Sequence, residues 1–341
     1  MITVLYIILA IFAFGLMIAI HEGGHFFAAR ACGVKVYEFS LGMGPRIFGK
    51  RGKDGTEYNL RLFPIGGYVS MKGEDEDADG EDSFSQKKPW QRFIIVAAGA
   101  TMNIILGVIL CLILTLSTPL ASNVVAEFLP ESTSHEWLMP GDEIVEINGT
   151  KVYTYDDMHY EITHDGYEPL DIVVIRDNER VLLEDVVFPT IAESGMVFGD
   201  RDFIVFAAKK TFGGVVKHTW FMAVSTVRMI WESLFDLLLG RVGVEAVSGP
   251  VGVTEAIGTA AKNGLYSLAY LLSVLTMNLG VFNLLPIPAL DGGRLVFILF
   301  EMVFRRKVPP KFEGLVHTVG IMLLFGLMIF VTFKDVIKLI S

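Results

Sequence analysis

The stretch TVLYIILAIFAFGLMIAIHEGGHFFAA, residues 3–29, decides how this chain folds. At 1.5 Å per helical residue it is long enough to cross a hydrocarbon layer about 30 Å thick. Met1–Ile20 carries no charge, and no basic residue precedes the run. A cleavable export signal needs a positive start and a small-residue cleavage site. The run instead continues past His21 to Ala29, so a membrane span is expected. Into it are set His21, Glu22 and His25. Positions i and i+4 of a helix share one face, about 6 Å apart along the axis. Two imidazoles so placed can reach one zinc ion, and the glutamate between them can act as base on a water that the ion activates. In a soluble helix the same pattern would describe surface residues. At membrane depth an ionisable side chain costs about 2.5–3.5 kcal/mol and needs a partner or a cavity. The competing readings are a self-satisfied His–Glu cluster and a motif lying at the interface.

The rest of the chain agrees with a membrane setting. Of 341 residues 52% are hydrophobic and 19% charged, against about 45–50% and 25% in soluble domains. The apolar excess gathers in four stretches, about 3–29, 93–118, 266–304 and 314–338, and four spans are expected. The third holds Pro286, Pro288, Gly292 and Gly293, which predicts a broken helix; irregular backbone survives at that depth only where protein or a water cavity surrounds it. Residues 30–92 hold 11 Lys+Arg, and Arg305, Arg306, Lys307 and Lys311 lie between the third and fourth stretches. With four spans these basic loops share a side, which the positive-inside rule makes cytoplasmic; Lys334 and Lys338 mildly oppose this. Cys32 and Cys111 suggest no disulfide framework.

Residues 34–72 are glycine-rich, and Tyr58, Leu60 and Leu62 alternate with Asn59 and Arg61. That period, with a Lys53-Asp54-Gly55 turn, predicts a β-hairpin on the cytoplasmic face, followed by a turn at Gly66-Gly67. Residues 73–88 read as a solvated link. Residues 122–190 read as a compact polar domain, with strands at Leu170–Ile175 and Arg180–Phe188 and a short helix over Thr154–His164. From Thr118 to Thr211 there are 19 Asp+Glu against 6 Lys+Arg, which excludes a nucleic-acid surface there. Residues 212–239 place Lys217, Arg228, Glu232 and Asp236 on one helical face, as in a helix lying on the membrane surface; a fifth span would put the two basic loops on opposite sides. The expected fold is a membrane α-helical protein with about four transmembrane helices, a cytoplasmic-side β-hairpin and one inserted extracytoplasmic α+β domain. The expected divisions are 1–121, 122–190, 191–265 and 266–341.

Two histidines leave a zinc site incomplete, because a catalytic site takes three protein ligands and keeps one position open. Asp291 is the best third ligand. It is the only acidic residue between Glu255 and Glu301. It lies 14 residues before Arg305, as His21–His25 lie just before Arg30, so both are displaced toward the same face. The alternative is a turn or helix-capping aspartate.

Four blocks then carry a resemblance: His21–His25; Phe63-Pro64-Ile65-Gly66-Gly67-Tyr68-Val69; Trp90-Gln91-Arg92 through Ala98-Gly99-Ala100 to Asn103; and Asn283-Leu284-Leu285-Pro286-Ile287-Pro288-Ala289-Leu290-Asp291-Gly292-Gly293. Ser248-Gly249-Pro250-Val251-Gly252 is a further similar block. Over nearly its whole length the chain resembles the bacterial site-2 proteases, zinc intramembrane metalloproteases with a PDZ domain, of the regulator of sigma-E protease type. The resemblance implies a re-entrant hairpin, a PDZ-like domain at 122–190, and Zn2+ held by His21, His25 and Asp291. It implies that Glu22 is catalytic, that Asn283 holds substrate or stabilises the oxyanion, and that Asn103 supports the helix packing around the site. It also implies a multi-pass protein of the cell membrane that cuts single-span membrane proteins, such as anti-sigma factors or signal-peptide remnants, already trimmed by another protease. Two departures stand out. Gly23 occupies a position where the family usually has a bulky apolar residue, and Ser132–Met139 replaces the usual small-residue stretch before the PDZ glycine. A scaffold without catalysis is opposed by the intact His21, Glu22, His25 and Asp291. A metal transporter would more readily show inverted repeats, and none is evident in the sequence.

Overall fold

A backbone in lipid must satisfy its own hydrogen bonds, and a long apolar stretch does so as a helix. The computed structural model of the protein describes residues 2–74, 78–193, 196–241, 243 and 247–340. In chain order its elements are α1 (Ile2–Ala31), β1 (Val36–Arg51), β2 (Glu57–Met71), α2 (Pro89–Ser117), β3 (Leu120–Phe128), β4 (Glu143–Ile147), β5 (Thr150–Lys151), α3 (Tyr155–Asp165), β6 (Leu170–Arg176), β7 (Glu179–Val186), β8 (Thr190–Glu193), β9 (Met196–Gly199), β10 (Phe203–Ala208), α4 (Phe212–Leu238), α5 (Pro250–Lys262), α6 (Leu265–Leu284), α7 (Asp291–Phe304) and α8 (Pro310–Ile340). Four of the described helices are long and apolar enough to cross a membrane, over Tyr6–Ala31, Pro89–Ser117, Leu265–Leu284 and Lys311–Asp335. This is the make-up of a multi-pass membrane protein. The third apolar stretch is broken after Leu284 and resumes as α7 at Asp291.

The chain divides into two compact units, Met1–Leu110 with Ile230–Ser341, and Cys111–Met229. In the first unit, β1 and β2 make more than a simple hairpin. Glu38–Leu41 of β1 is flanked on both sides by β2, with Ser40 opposite Tyr68 on one side and Asn59 on the other. The outer half of β1 continues the ladder, Arg51 facing Glu57. Gly67–Met71 therefore pairs along one edge only among the described residues. Glu38 locks this arrangement by accepting from Asn59 at 2.7 Å and Arg61 at 2.6 Å. Burial pushes its carboxyl up, and the hydrogen bonds from Arg61, Tyr68 and Asn59 outweigh this, so it lies below its ordinary value. Arg30, at the end of α1, pairs with Asp54 in the hairpin turn at 2.7 Å. Under the sheet, Phe26, Val36, Val69, Ile95 and Leu295 form a buried cluster that joins α1, β1, β2, α2 and α7. Arg92 of α2 and Glu301 of α7, both largely buried, pair at 2.5 Å.

The second unit is an α+β module. Its six-stranded sheet runs β10-β3-β4-β6-β7, with β5 paired to β4. Two-residue turns with positive φ close its hairpins, Asn148-Gly149 (46° and 80°) and Asp177-Asn178 (52° and 66°), as their small polar residues favour. Thr154 caps α3 in a reciprocal capping box with Asp157. The core includes Ile144, Ile147, Met158, Ile172 and Phe203. The sheet extends beyond residues 122–190, because β10 pairs with β3, Phe203 opposite Phe128. A polar face of α4 is taken up inside this unit: Arg228 pairs with Glu161 of α3 at 2.7 Å, Ser225 bonds Asp157, and Phe221 stacks on Tyr153 at 4.2 Å.

Candidate active site

His21 and His25 sit one turn apart on α1, as their spacing requires, and their rings meet edge to face at 4.8 Å. Each is fixed through Nδ1. His25 Nδ1 lies 2.9 Å from the carbonyl of Ile95 on α2. A carbonyl only accepts, so this nitrogen carries the proton and Nε2 keeps a lone pair. His21 Nδ1 lies 3.3 Å from the side-chain amide of Asn103 on α2. Asn103 is fully buried, and with its amide nitrogen toward the ring its Oδ1 has no partner. With the amide turned over, Oδ1 accepts from Nδ1–H and both groups are satisfied. The Asn103 carbonyl in turn accepts from Thr276 of α6 at 3.3 Å.

Both Nε2 atoms then point at one place, which Asp291 also reaches. Its Oδ2 is 3.2 Å from His21 Nε2 and 3.3 Å from His25 Nε2, and the two Nε2 atoms are 3.2 Å apart. With both ring protons on Nδ1, Asp291 Oδ2 is a buried oxygen with no hydrogen to accept. Three lone pairs facing one another in a buried setting repel unless a cation lies among them. Two donors bound tetrahedrally at about 2.0–2.1 Å would be about 3.4 Å apart. The separations and the N, N, O donor set therefore fit zinc. His21, His25 and Asp291 are the one such cluster among the described residues.

The surrounding space suits a reaction site. His21, Glu22, His25, Asn283 and Asp291 all line one cavity of about 730 Å³ in the first unit. Glu22 is buried on α1 beside Gly67 of β2, where an added Cβ would come within 2.8 Å of Glu22 Cγ and 2.9 Å of the Ser40 carbonyl. Glycine thus lets the open edge Gly67–Met71 lie against Glu22, and that edge lines the cavity. Asn283 stands in the last turn of α6. Sequence reasoning gave Asn103 a packing role only, and it passed over Glu74, Arg294 and His317, which also line the cavity. His317 could have been flagged, because an ionisable residue inside an apolar stretch is a functional candidate by default.

Adjacent glycines of the motif have opposite roles. A Cβ on Gly24 would strike the Ala98 carbonyl, with Gly99 Cα 2.9 Å away, and a Cβ on Gly99 would enter the His25 ring. Small residues let α1 and α2 approach closely enough for His25 to reach Ile95. Gly23 meets only Phe27, at 3.9 Å. Gly23→Ala is therefore expected to keep activity and to stabilise α1 by up to about 1 kcal/mol. Gly24→Ala is expected to lower both thermal stability and zinc content. Unfolding midpoints and metal analysis of the two purified variants check this, and equal behaviour would refute it.

Helices fit for a membrane, two histidines and an aspartate converging on one point, and a buried glutamate beside them suit the chemistry of a zinc metalloprotease. Peptidase family M50 matches residues 9–327. A protein of Clostridium perfringens named "Putative zinc metalloprotease CPE1693" is 38% identical over 98% of this chain and 99% of its own length. One of Campylobacter jejuni, named "Putative zinc metalloprotease Cj1068", is 34% identical over 95% of this chain and 91% of its own. A protein of Enterococcus faecalis named "Probable protease eep" is 28% identical over 97% and 98%. The chain belongs to peptidase family M50, the site-2 protease family, and is a zinc metalloprotease.

Proposed function

We propose that the protein cuts single-span membrane proteins within the bilayer. The observation that carries this reading is the origin of the site: two of its three donors come from a helix fit to cross a membrane, and the third from just beyond the break after another. His21, His25 and Asp291 would hold the zinc. When bound, zinc supplies a Lewis acid that polarises the scissile carbonyl and acidifies water. Glu22 takes a proton from the attacking water and returns it to the leaving amine. Asn283 holds the substrate carbonyl as charge develops on it. Ile95 and Asn103 keep the two imidazoles aimed through Nδ1.

A membrane helix resists proteolysis because its backbone is bonded internally. The one-sided edge Gly67–Met71 supports the remedy, since an extended peptide can add to it by main-chain pairing. The basic loops 30–92 and 305–311 support a site near the cytoplasmic face of a cell membrane. The module built on β3–β7, read as PDZ-like and extracytoplasmic, would exclude substrates with bulky outer domains, so that stubs trimmed by another protease are preferred. The amphipathic α4, its polar face held by α3, is read as lying along the membrane surface through its apolar face.

The test is reconstitution of the full chain in liposomes with a single-span peptide and mapping of the cut by mass spectrometry. A cut inside the apolar segment is expected, and it is expected to weaken when a folded domain is fused to the outer end. Cuts confined to soluble tails would refute the reading.

A further inference from the structure

We propose that His317 is a positioning residue for Asp291, acting through the turn that precedes it. The proposal rests on Asp291 being a zinc ligand. Ile287-Pro288-Ala289-Leu290 is a β-turn closed by Leu290 N–H to the Ile287 carbonyl at 3.2 Å. Its third residue, Ala289, has φ +81°, the left-handed backbone that makes this a type II turn and that normally calls for glycine. Proline at the second position suits type I and type II alike, and alanine at the third favours type I. Something outside the turn must therefore choose.

The two turn types differ by a flip of the central peptide, which here carries the Ala289 N–H. That N–H donates to His317 Nδ1 of α8 at 3.2 Å. One turn further along the same face, Gly320 lets α8 press on the turn: a Cβ there would stand 2.5 Å from the Pro288 carbonyl. One turn back, Glu313 lies 3.6 Å from Arg294 of α7. Residues 313, 317 and 320 follow the i, i+4, i+7 spacing of one helical face. Three contacts from α8 thus grip the β-turn and the first turn of α7, and Asp291 stands at their junction as the first residue of α7. A flipped Pro288–Ala289 peptide would turn the Pro288 carbonyl away from Gly320 and withdraw the Ala289 N–H from α8, loosening the grip on the turn so that the Asp291 carboxylate behind it is no longer held against the two imidazoles.

The test measures zinc affinity of the purified full-length protein by competition with a chromogenic chelator. His317→Leu removes the acceptor and is expected to weaken zinc binding about 10–100-fold, the range usual for groups that support metal ligands. His317→Asn keeps an acceptor where Nδ1 stood and is expected to bind like the natural protein. Ala289→Gly in the His317→Leu background is expected to recover most of the loss, because glycine adopts the left-handed backbone unaided. Natural affinity in His317→Leu, or an equal loss in His317→Leu, His317→Asn and the double variant, would overturn the proposal. Asp291→Ala separates the two ideas: unchanged affinity there removes Asp291 as a ligand and the proposal with it, whereas a loss there beside natural affinity in His317→Leu sinks the proposal alone.

Discussion

Glu22→Gln is expected to lower the rate of peptide cleavage by about 10²–10⁴-fold while zinc content stays at its natural level. Glutamine keeps the length and shape of the side chain but cannot take up a proton near neutral pH. Glu22 is not among the three donors that converge, so the metal should not sense the change. Its position suits it to the proposed role in passing protons. It is buried, it lines the cavity, and Gly67 packs against its Cγ. A substrate strand added to Gly67–Met71 would bring its backbone past this side chain. Metal analysis and cleavage of a model span in liposomes, run on the same preparation, decide the matter. Undiminished cleavage would strip Glu22 of the base role. Lost zinc would make it part of the metal's support instead.

Four of the residues that meet at this cavity were legible because each broke a pattern. His21, Glu22 and His25 interrupt an apolar run, and Asp291 is the lone acid in a long stretch. The break in the third span was legible from Pro286, Pro288 and the following glycines, since the helix does stop at Leu284 and restart at Asp291. What stayed hidden depends on partners distant in the chain. Asn103 reads as a packing residue until His21, 82 positions away, is placed beside its amide. The doubled pairing of Glu38–Leu41 has no local signal, because an alternating pattern says which face is buried and not how many neighbours a strand has. The charged face of α4 suggested headgroups, yet the periodicity is the same when the partner is a helix. Arg228 finds Glu161, and Ser225 finds Asp157, from α3. Tertiary partners also extended the sheet past residue 190, since β10 earns its place only by pairing with β3.

Asp291→Asn is expected to abolish zinc binding without unfolding the protein, and to lower cleavage by on the order of 10³-fold or more, the loss of several kcal/mol of charge stabilisation. The argument turns on what faces what. In the natural protein two neutral imidazoles and one carboxylate turn lone pairs toward one another, with the three donor atoms 3.2–3.3 Å apart. The carboxylate is the only negative charge among the three donors, so it supplies the charge that draws a dication from water into a buried site. Asparagine keeps the shape but removes that charge. It also brings an N–H, which can donate to one Nε2 and relieve the repulsion that the metal otherwise relieves. The cluster would then be satisfied without an ion, and the unfolding midpoint of Asp291→Asn should match or exceed that of the natural protein stripped of metal. Such a result separates a ligand from a scaffold residue. If the variant instead kept zinc and activity, the meeting of α1 with the start of α7 would serve packing alone. If it unfolded, Asp291 would owe its position to the fold's stability rather than to the metal.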